Sequence, residues 1–189
     1  QPWTGIGNTT ATPEQLADAV LEPGMEAVHA VFLGFGSEQK NLERLAVDPR
    51  FGGRVHVVDA VSPDDLAAWV ASADVAVLCI QPSTLNHRSS TPNKLFEALA
   101  SGVPVVASDF DEMRAIVLGN PEGPLGEVCR PTDVDDIARA IRRIVELPPS
   151  DLAALRACCL RAAHERWNWE TESARLVALY EELAVGVSS

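Results

Sequence analysis

The chain has 189 residues, enough for one sizeable core, and its 47% hydrophobic and 22% charged residues are ordinary globular composition, unlike that of a disordered chain. A formal net charge of −12 disfavours DNA, RNA and anionic lipid as partners, because binding a phosphate backbone rests on clustered Lys and Arg. No apolar run reaches the roughly eighteen residues that cross a bilayer, and residues 1–12 lack the basic-then-apolar order of a signal peptide, so a cytoplasmic protein is expected.

In chain order, a short strand or turn around Trp3 leads into a glycine loop, Gly5-Ile6-Gly7-Asn8, and then a helix over about 12–21. There Thr12-Pro13-Glu14-Gln15 reads as cap, first-turn proline and capping-box partner. Valine-rich apolar runs follow at 28–33, 55–58, 75–80 and 103–107, each the length of a strand covered on both faces. Helices are expected between them at 37–46, 62–72 and 92–101. Ser62-Pro63-Asp64-Asp65 gives a capping serine, a first-turn proline and two acids suited to the helix dipole, and Gly102 stands where a left-handed residue closes a helix. After Pro131 the pattern turns helical, at 134–147, 151–166 and 169–183. The alternation predicts an α/β fold, a Rossmann-like doubly wound parallel sheet with a C-terminal helical tail. The expected division is an edge segment over 1–26, an α/β core over 27–131 and the tail over 132–189.

Cys79, Cys129, Cys158 and Cys159 form no Cys-x-x-Cys pair, so neither a zinc site nor a disulfide framework is indicated. His29 and His56 fall inside strand-like runs and read as partnered structural residues. Trp167 and Trp169 read as packing anchors for the last helix. Asp109-Phe110-Asp111-Glu112 packs three carboxylates after a strand edge and reads as the cap of a helix beginning near Glu112, with contact to a sugar as the other reading.

In an open α/β sheet, ligands bind beyond the carboxyl ends of the strands. The connection over 81–92 is longer than a plain strand-to-helix link requires. It leads into Ser90-Thr91-Pro92-Asn93-Lys94-Leu95-Phe96-Glu97, where two hydroxyls and the free amides of a helix N-terminus can face an anion. Lys94 adds a cation one turn in, and Glu97, three residues on, shares its helix face. The competing reading is a Ser or Thr cap, Pro92 in the first turn and a surface ion pair of Lys94 with Glu97.

The run from Thr91 to Asp109 joins Pro-x-Lys-x-x-Glu to Gly-x-Pro-Val-Val and closely resembles the donor-site signature of retaining GT-B glycosyltransferases of the group-four, glycogen-synthase-like family. The resemblance extends through Phe32-Leu33-Gly34-Phe35-Gly36, Ala73-Asp74-Val75, Gly126-Glu127-Val128 and Pro131-Thr132-Asp133 to Trp167-Asn168-Trp169-Glu170. It implies the donor-binding C-terminal half of a two-domain enzyme. That enzyme would bind a UDP- or GDP-sugar as substrate without a cofactor or tightly bound metal, and take its acceptor, or any peripheral membrane contact, through an N-terminal domain absent from this chain. On this resemblance Glu97 holds the ribose hydroxyls, and the amides of Thr91 to Lys94, with Ser90 and Pro92 alongside, meet the diphosphate. Ala60 and Val61 offer backbone to the base, and the amides of Gly5 and Gly7 face the anion. No Lys or Arg occurs before Lys40, so the cationic role falls on Lys94 with Arg88 and His87. The family's first motif glutamate is replaced by Ser89, and no catalytic residue is assigned. A sugar-nucleotide epimerase half and a non-catalytic binding module are the alternatives.

Overall fold

The computed structural model describes residues 3–6 and 13–186. The elements run β1 (Trp3–Ile6), α1 (Pro13–Ala19), β2 (His29–Leu33), α2 (Gln39–Ala46), a 3-10 turn (Pro49–Phe51), β3 (Val55–Val58), α3 (Pro63–Ala71) and β4 (Ala76–Leu78). They continue with α4 (Leu85–Ser89), α5 (Asn93–Ala100), β5 (Val105–Ser108), α6 (Asp111–Val117), β6 (Gly126–Cys129), α7 (Val134–Val145), α8 (Pro149–Glu165) and α9 (Trp169–Gly186). Every ladder is parallel. β1-β2-β3 and β4-β5-β6 each hydrogen-bond into three strands, and β1 lies beside β4. The order across the molecule is therefore 3-2-1-4-5-6, with the switch point between β1 and β4.

The runs in β2, β4 and β5 are continuous because those strands bury both faces, whereas β3, which pairs with β2 alone, buries only Val55 fully and was expected to be covered on both faces. Val77, Cys79, Val106 and Cys129 pack on one side against Leu16 of α1 and Ile137, Ile141 and Ile144 of α7. Ala76, Leu78, Val105 and Ala107 pack on the other against Leu95 and Leu99 of α5 and Cys159 and Ala163 of α8. The segment set apart as 1–26 supplies the central strand and, in Leu16, Ala17, Ala19 and Val20, part of this core. No helix among the described residues is long and apolar enough to cross a membrane.

Local signals place several helix ends. Ser62 Oγ accepts from the Asp65 amide at 3.2 Å and donates to its carboxylate at 2.7 Å. Ser62→Ala is expected to cost about 1 kcal/mol in urea unfolding, the usual worth of such a cap. Gly102, at φ +67°, ends α5, and the Val103 amide reaches back to the Ala98 carbonyl at 2.9 Å.

Elsewhere the structure corrects the sequence. The 81–92 connection holds a short helix, α4, capped by Thr84, whose Oγ1 accepts from the His87 amide at 3.1 Å. Pro92, expected in the first turn of α5, occupies its cap position, so neither Ser90 nor Thr91 caps that helix. A residue before proline is held extended, which keeps Thr91 out of the turn. Gly5 lies within β1 at a register shift rather than in a loop, while Gly7 lies outside the described residues. β6 was not anticipated, because Glu127 breaks its apolar run; that carboxylate pairs outward with Arg139 and Arg143 at 3.3 Å each. Asp109 does not cap α6, which begins at Asp111 with Phe110 at its cap; it grips the Arg114 guanidinium instead. Trp167 packs on Phe96 with ring centroids 5.6 Å apart, as an anchor should, but Trp169 is 73% exposed.

His29 Nδ1 and His56 Nε2 lie 2.8 Å apart across β2 and β3, so one ring donates to the other. Burial, followed by the charges of His56 and Arg54, holds His29 below its ordinary value of 6.5. A depressed histidine favours the neutral folded form. The stability it contributes is complete above about pH 6.5 and is lost as the pH falls below it, where the unfolded chain takes up the proton first. The unfolding midpoint should therefore fall between pH 7.5 and pH 5.5, and His29→Asn should flatten that fall.

Candidate functional site

At the carboxyl edge of the sheet a pocket of about 270 Å³ opens between α3 and α5. Its walls are Leu33 and Gly34 from the end of β2, Ala60 and Val61 from the β3–α3 connection, Leu66 and Val70 of α3, and Ala76 and Leu78 of β4. α5 closes it with Lys94, Glu97 and Ala98. The 3.6-residue period explains why. Leu95, Ala98 and Leu99 face the core, which turns Lys94 and Glu97 together toward α3.

The chemistry of the pocket is sparse. Every lining side chain is apolar or absent except those of Lys94 and Glu97. Among the described residues these two form no salt bridge and no side-chain hydrogen bond, so the surface pair offered by the competing reading is not made. An exposed carboxylate and a half-buried ammonium thus stand free at the mouth of an apolar slot. Such a site suits a flat ring with a hydroxylated, anionic tail.

Of the residues singled out in the sequence, the structure brings Ala60, Val61, Lys94 and Glu97 into this one pocket. Ser90, Thr91 and the cap residue Pro92 form the approach to α5, and Asn93 is its first residue, just before Lys94; none of the four lines the pocket. Arg88 is exposed in the last turn of α4, beside His87, whose Nδ1 meets Ser83 Oγ at 2.7 Å. Neither lines the pocket. Sequence reasoning missed Leu66 and Val70; their spacing of four on α3 marks one helix face, but only the topology shows that it meets α5. Gly34, read as part of a tight turn, is a pocket wall as well.

Gln81 was also missed. Its Nε2 donates to Gln15 Oε1 at 2.6 Å and to the Pro131 carbonyl at 2.7 Å. Just before it, Ser108 Oγ, fully buried, reaches the carbonyls of Leu78 at 3.3 Å and Ile80 at 2.8 Å. A second hollow, between α1 and α2, is lined mainly by apolar groups including Leu16, Phe32, Leu42 and Cys79, and at about 50 Å³ it is too small for a nucleoside. The Cys79 and Cys129 thiols lie 3.5 Å apart at its inner side; their mutual hydrogen bond and burial push the Cys79 thiol up, away from a reactive thiolate.

Comparison with known proteins gives this pocket a family setting. The chain is 34% identical over 147 residues to the MMP alpha-(1->4)-mannosyltransferase of Mycolicibacterium hassiacum, a match covering 78% of the chain and 34% of that protein. It is 31% identical over 148 residues to the GDP-mannose-dependent alpha-(1-6)-phosphatidylinositol monomannoside mannosyltransferase of Mycolicibacterium smegmatis, covering 78% of the chain and 38% of that protein. The chain thus spans little more than a third of these relatives' lengths. Among solved structures, Anabaena Alr3699/HepE in complex with UDP-glucose superposes with a TM-score of 0.71 at 19% identity, over 96% of this chain and 48% of that one, a likeness of fold to one half of a GT-B protein. The family model described as Glycosyl transferases group 1 matches residues 9–146, which take in every wall of the pocket, and the chain belongs to that family.

Proposed function

We propose that the chain binds the nucleotide-diphosphate part of a sugar donor and that, together with an acceptor-binding domain outside it, it transfers a hexosyl group with retention. The observation that carries this reading is the single pocket in which Ala60, Val61, Lys94 and Glu97 converge with both charges unpaired. The base enters the apolar slot against the backbone of Ala60 and Val61, and Glu97 accepts hydrogen bonds from the ribose hydroxyls. Lys94 and the amides at the start of α5 face the diphosphate. As the glycosidic bond breaks, negative charge grows on the leaving diphosphate, and a fixed cation with helix amides stabilises it there. Ser89, exposed at the end of α4, supplies no carboxylate to the reaction, so the chain's own contribution is donor binding and leaving-group stabilisation.

The donor is a UDP- or GDP-sugar. One relative is named as GDP-mannose-dependent, and a structural neighbour holds UDP-glucose. The two mannosyltransferases set the transfer reading ahead of the epimerase one. Titration calorimetry of the chain with UDP, GDP and ADP tests it: one of the first two should bind with heat that saturates, and no binding of any at millimolar concentration overturns it.

A further inference from the structure

We infer that Gln81 is a positioning residue for the diphosphate arm of the donor, a role that rests on the donor-binding reading above. The crevice at the switch point has β1 and β4 as its floor. Gln15, in the first turn of α1, and Gln81, just beyond β4, stand on its two sides, and Pro131 leads from β6 into α7. One half-buried carboxamide ties all three.

The orientation of that carboxamide is fixed by chemistry. A proline carbonyl only accepts, so the Gln81 atom facing Pro131 is the amide nitrogen, and its second hydrogen goes to Gln15 Oε1. Both Nε2 hydrogens are then used inside the protein. Ser108 holds the two carbonyls just before Gln81, so the chain leaving β4 is pinned from below by a buried hydroxyl and from the sides by Gln81. No other side chain hydrogen-bonds across the switch point between α1 and the 81–92 connection among the described residues. That connection delivers the start of α5, where the diphosphate is met, whereas most of the base slot is walled by α3, β2, β4 and the β3–α3 connection, and α5 closes it with residues further along the helix. Loosening Gln81 therefore displaces the anion-binding start of α5 more than the nucleoside slot, because Ala98 and Leu99 hold the rest of the helix in the core.

The test is calorimetry with UDP and GDP and with the matching nucleosides, on the wild-type chain and on Gln81→Leu, Gln15→Leu and Gln15→Glu. Both leucine variants should weaken the diphosphate about tenfold, the worth of one to two hydrogen bonds, and the nucleoside by no more than about twofold. Gln15→Glu keeps an acceptor for Nε2 and should stay within about twofold of wild type. Gln15→Leu removes the acceptor while leaving Gln81 and its bond to Pro131 in place, which keeps the proposal open to test if Gln81→Leu does not fold. Leucine variants that bind the diphosphate as wild type does, or that lose nucleoside and diphosphate alike, overturn the positioning role while donor binding stands. A wild-type chain that binds no nucleotide takes down the donor reading, and this role with it.

Discussion

Replacing Glu97 by alanine is expected to weaken nucleotide-diphosphate binding by about 10- to 100-fold while leaving the unfolding midpoint unchanged. Hydrogen bonds to a charged group are worth roughly 1.5–3 kcal/mol, and Glu97 would make them only to the ligand. Among the described residues its side chain has no partner within the protein, and it is exposed, so its removal costs the fold little. The assignment to ribose has its own control. A 2′,3′-dideoxy donor analogue should bind wild type as weakly as the natural nucleotide binds Glu97→Ala, and combining the two losses should add nothing further. Additive losses would move Glu97 to another part of the ligand. Lys94→Met should weaken diphosphate binding in a salt-dependent way, since a partly exposed charge is screened within about 8 Å at physiological ionic strength.

Gly126→Ala should be the most damaging alanine substitution among the described glycines, costing about 3 kcal/mol or more. Gly126 opens β6 opposite Val105 of β5, at φ +154°. A Cβ placed there would lie 1.9 Å from the Val105 carbonyl oxygen and 2.7 Å from its nitrogen. Both are backbone atoms held in the sheet, so no rotamer change relieves the clash and β6 must leave its ladder. Leu125 and Cys129, fully buried on either side, would be dragged out with it. Urea unfolding measures the loss, and a variant within about 1 kcal/mol of wild type would mean that β6 tolerates a wider spacing than these contacts allow.

How much of this was legible beforehand depended on whether the signal was local. The runs at 28–33, 75–80 and 103–107 announced buried parallel strands because both of their faces are covered, and Ser62 and Gly102 marked helix ends through their own backbone chemistry. β6 was hidden because only Val128 and Cys129 are apolar in it, and its strand character comes from pairing with β5. α4 was hidden because five residues bury nothing and leave Leu85 80% exposed, so no period betrays a helix. At the site, the spacing of Lys94 and Glu97 correctly put them on one face. What it did not show was that they avoid each other and look into a slot built by α3. Gln81 carries no motif at all; its importance comes from three segments that meet only after folding.

The strand order has a consequence for how the chain is made. β1 lies in the middle of the sheet, yet its neighbour on one side is β4, whose residues come after two complete strand–helix units. During synthesis β1, β2 and β3 can pair while one long edge of β1 still waits for its partner, and every pairing must close over an intervening helix. Such long-range parallel assembly is slow, and a strand edge whose backbone groups are left unpaired meanwhile is where growing chains stick to one another. Recovery of soluble protein should therefore respond more to the speed of translation and to temperature than to the final stability of the fold.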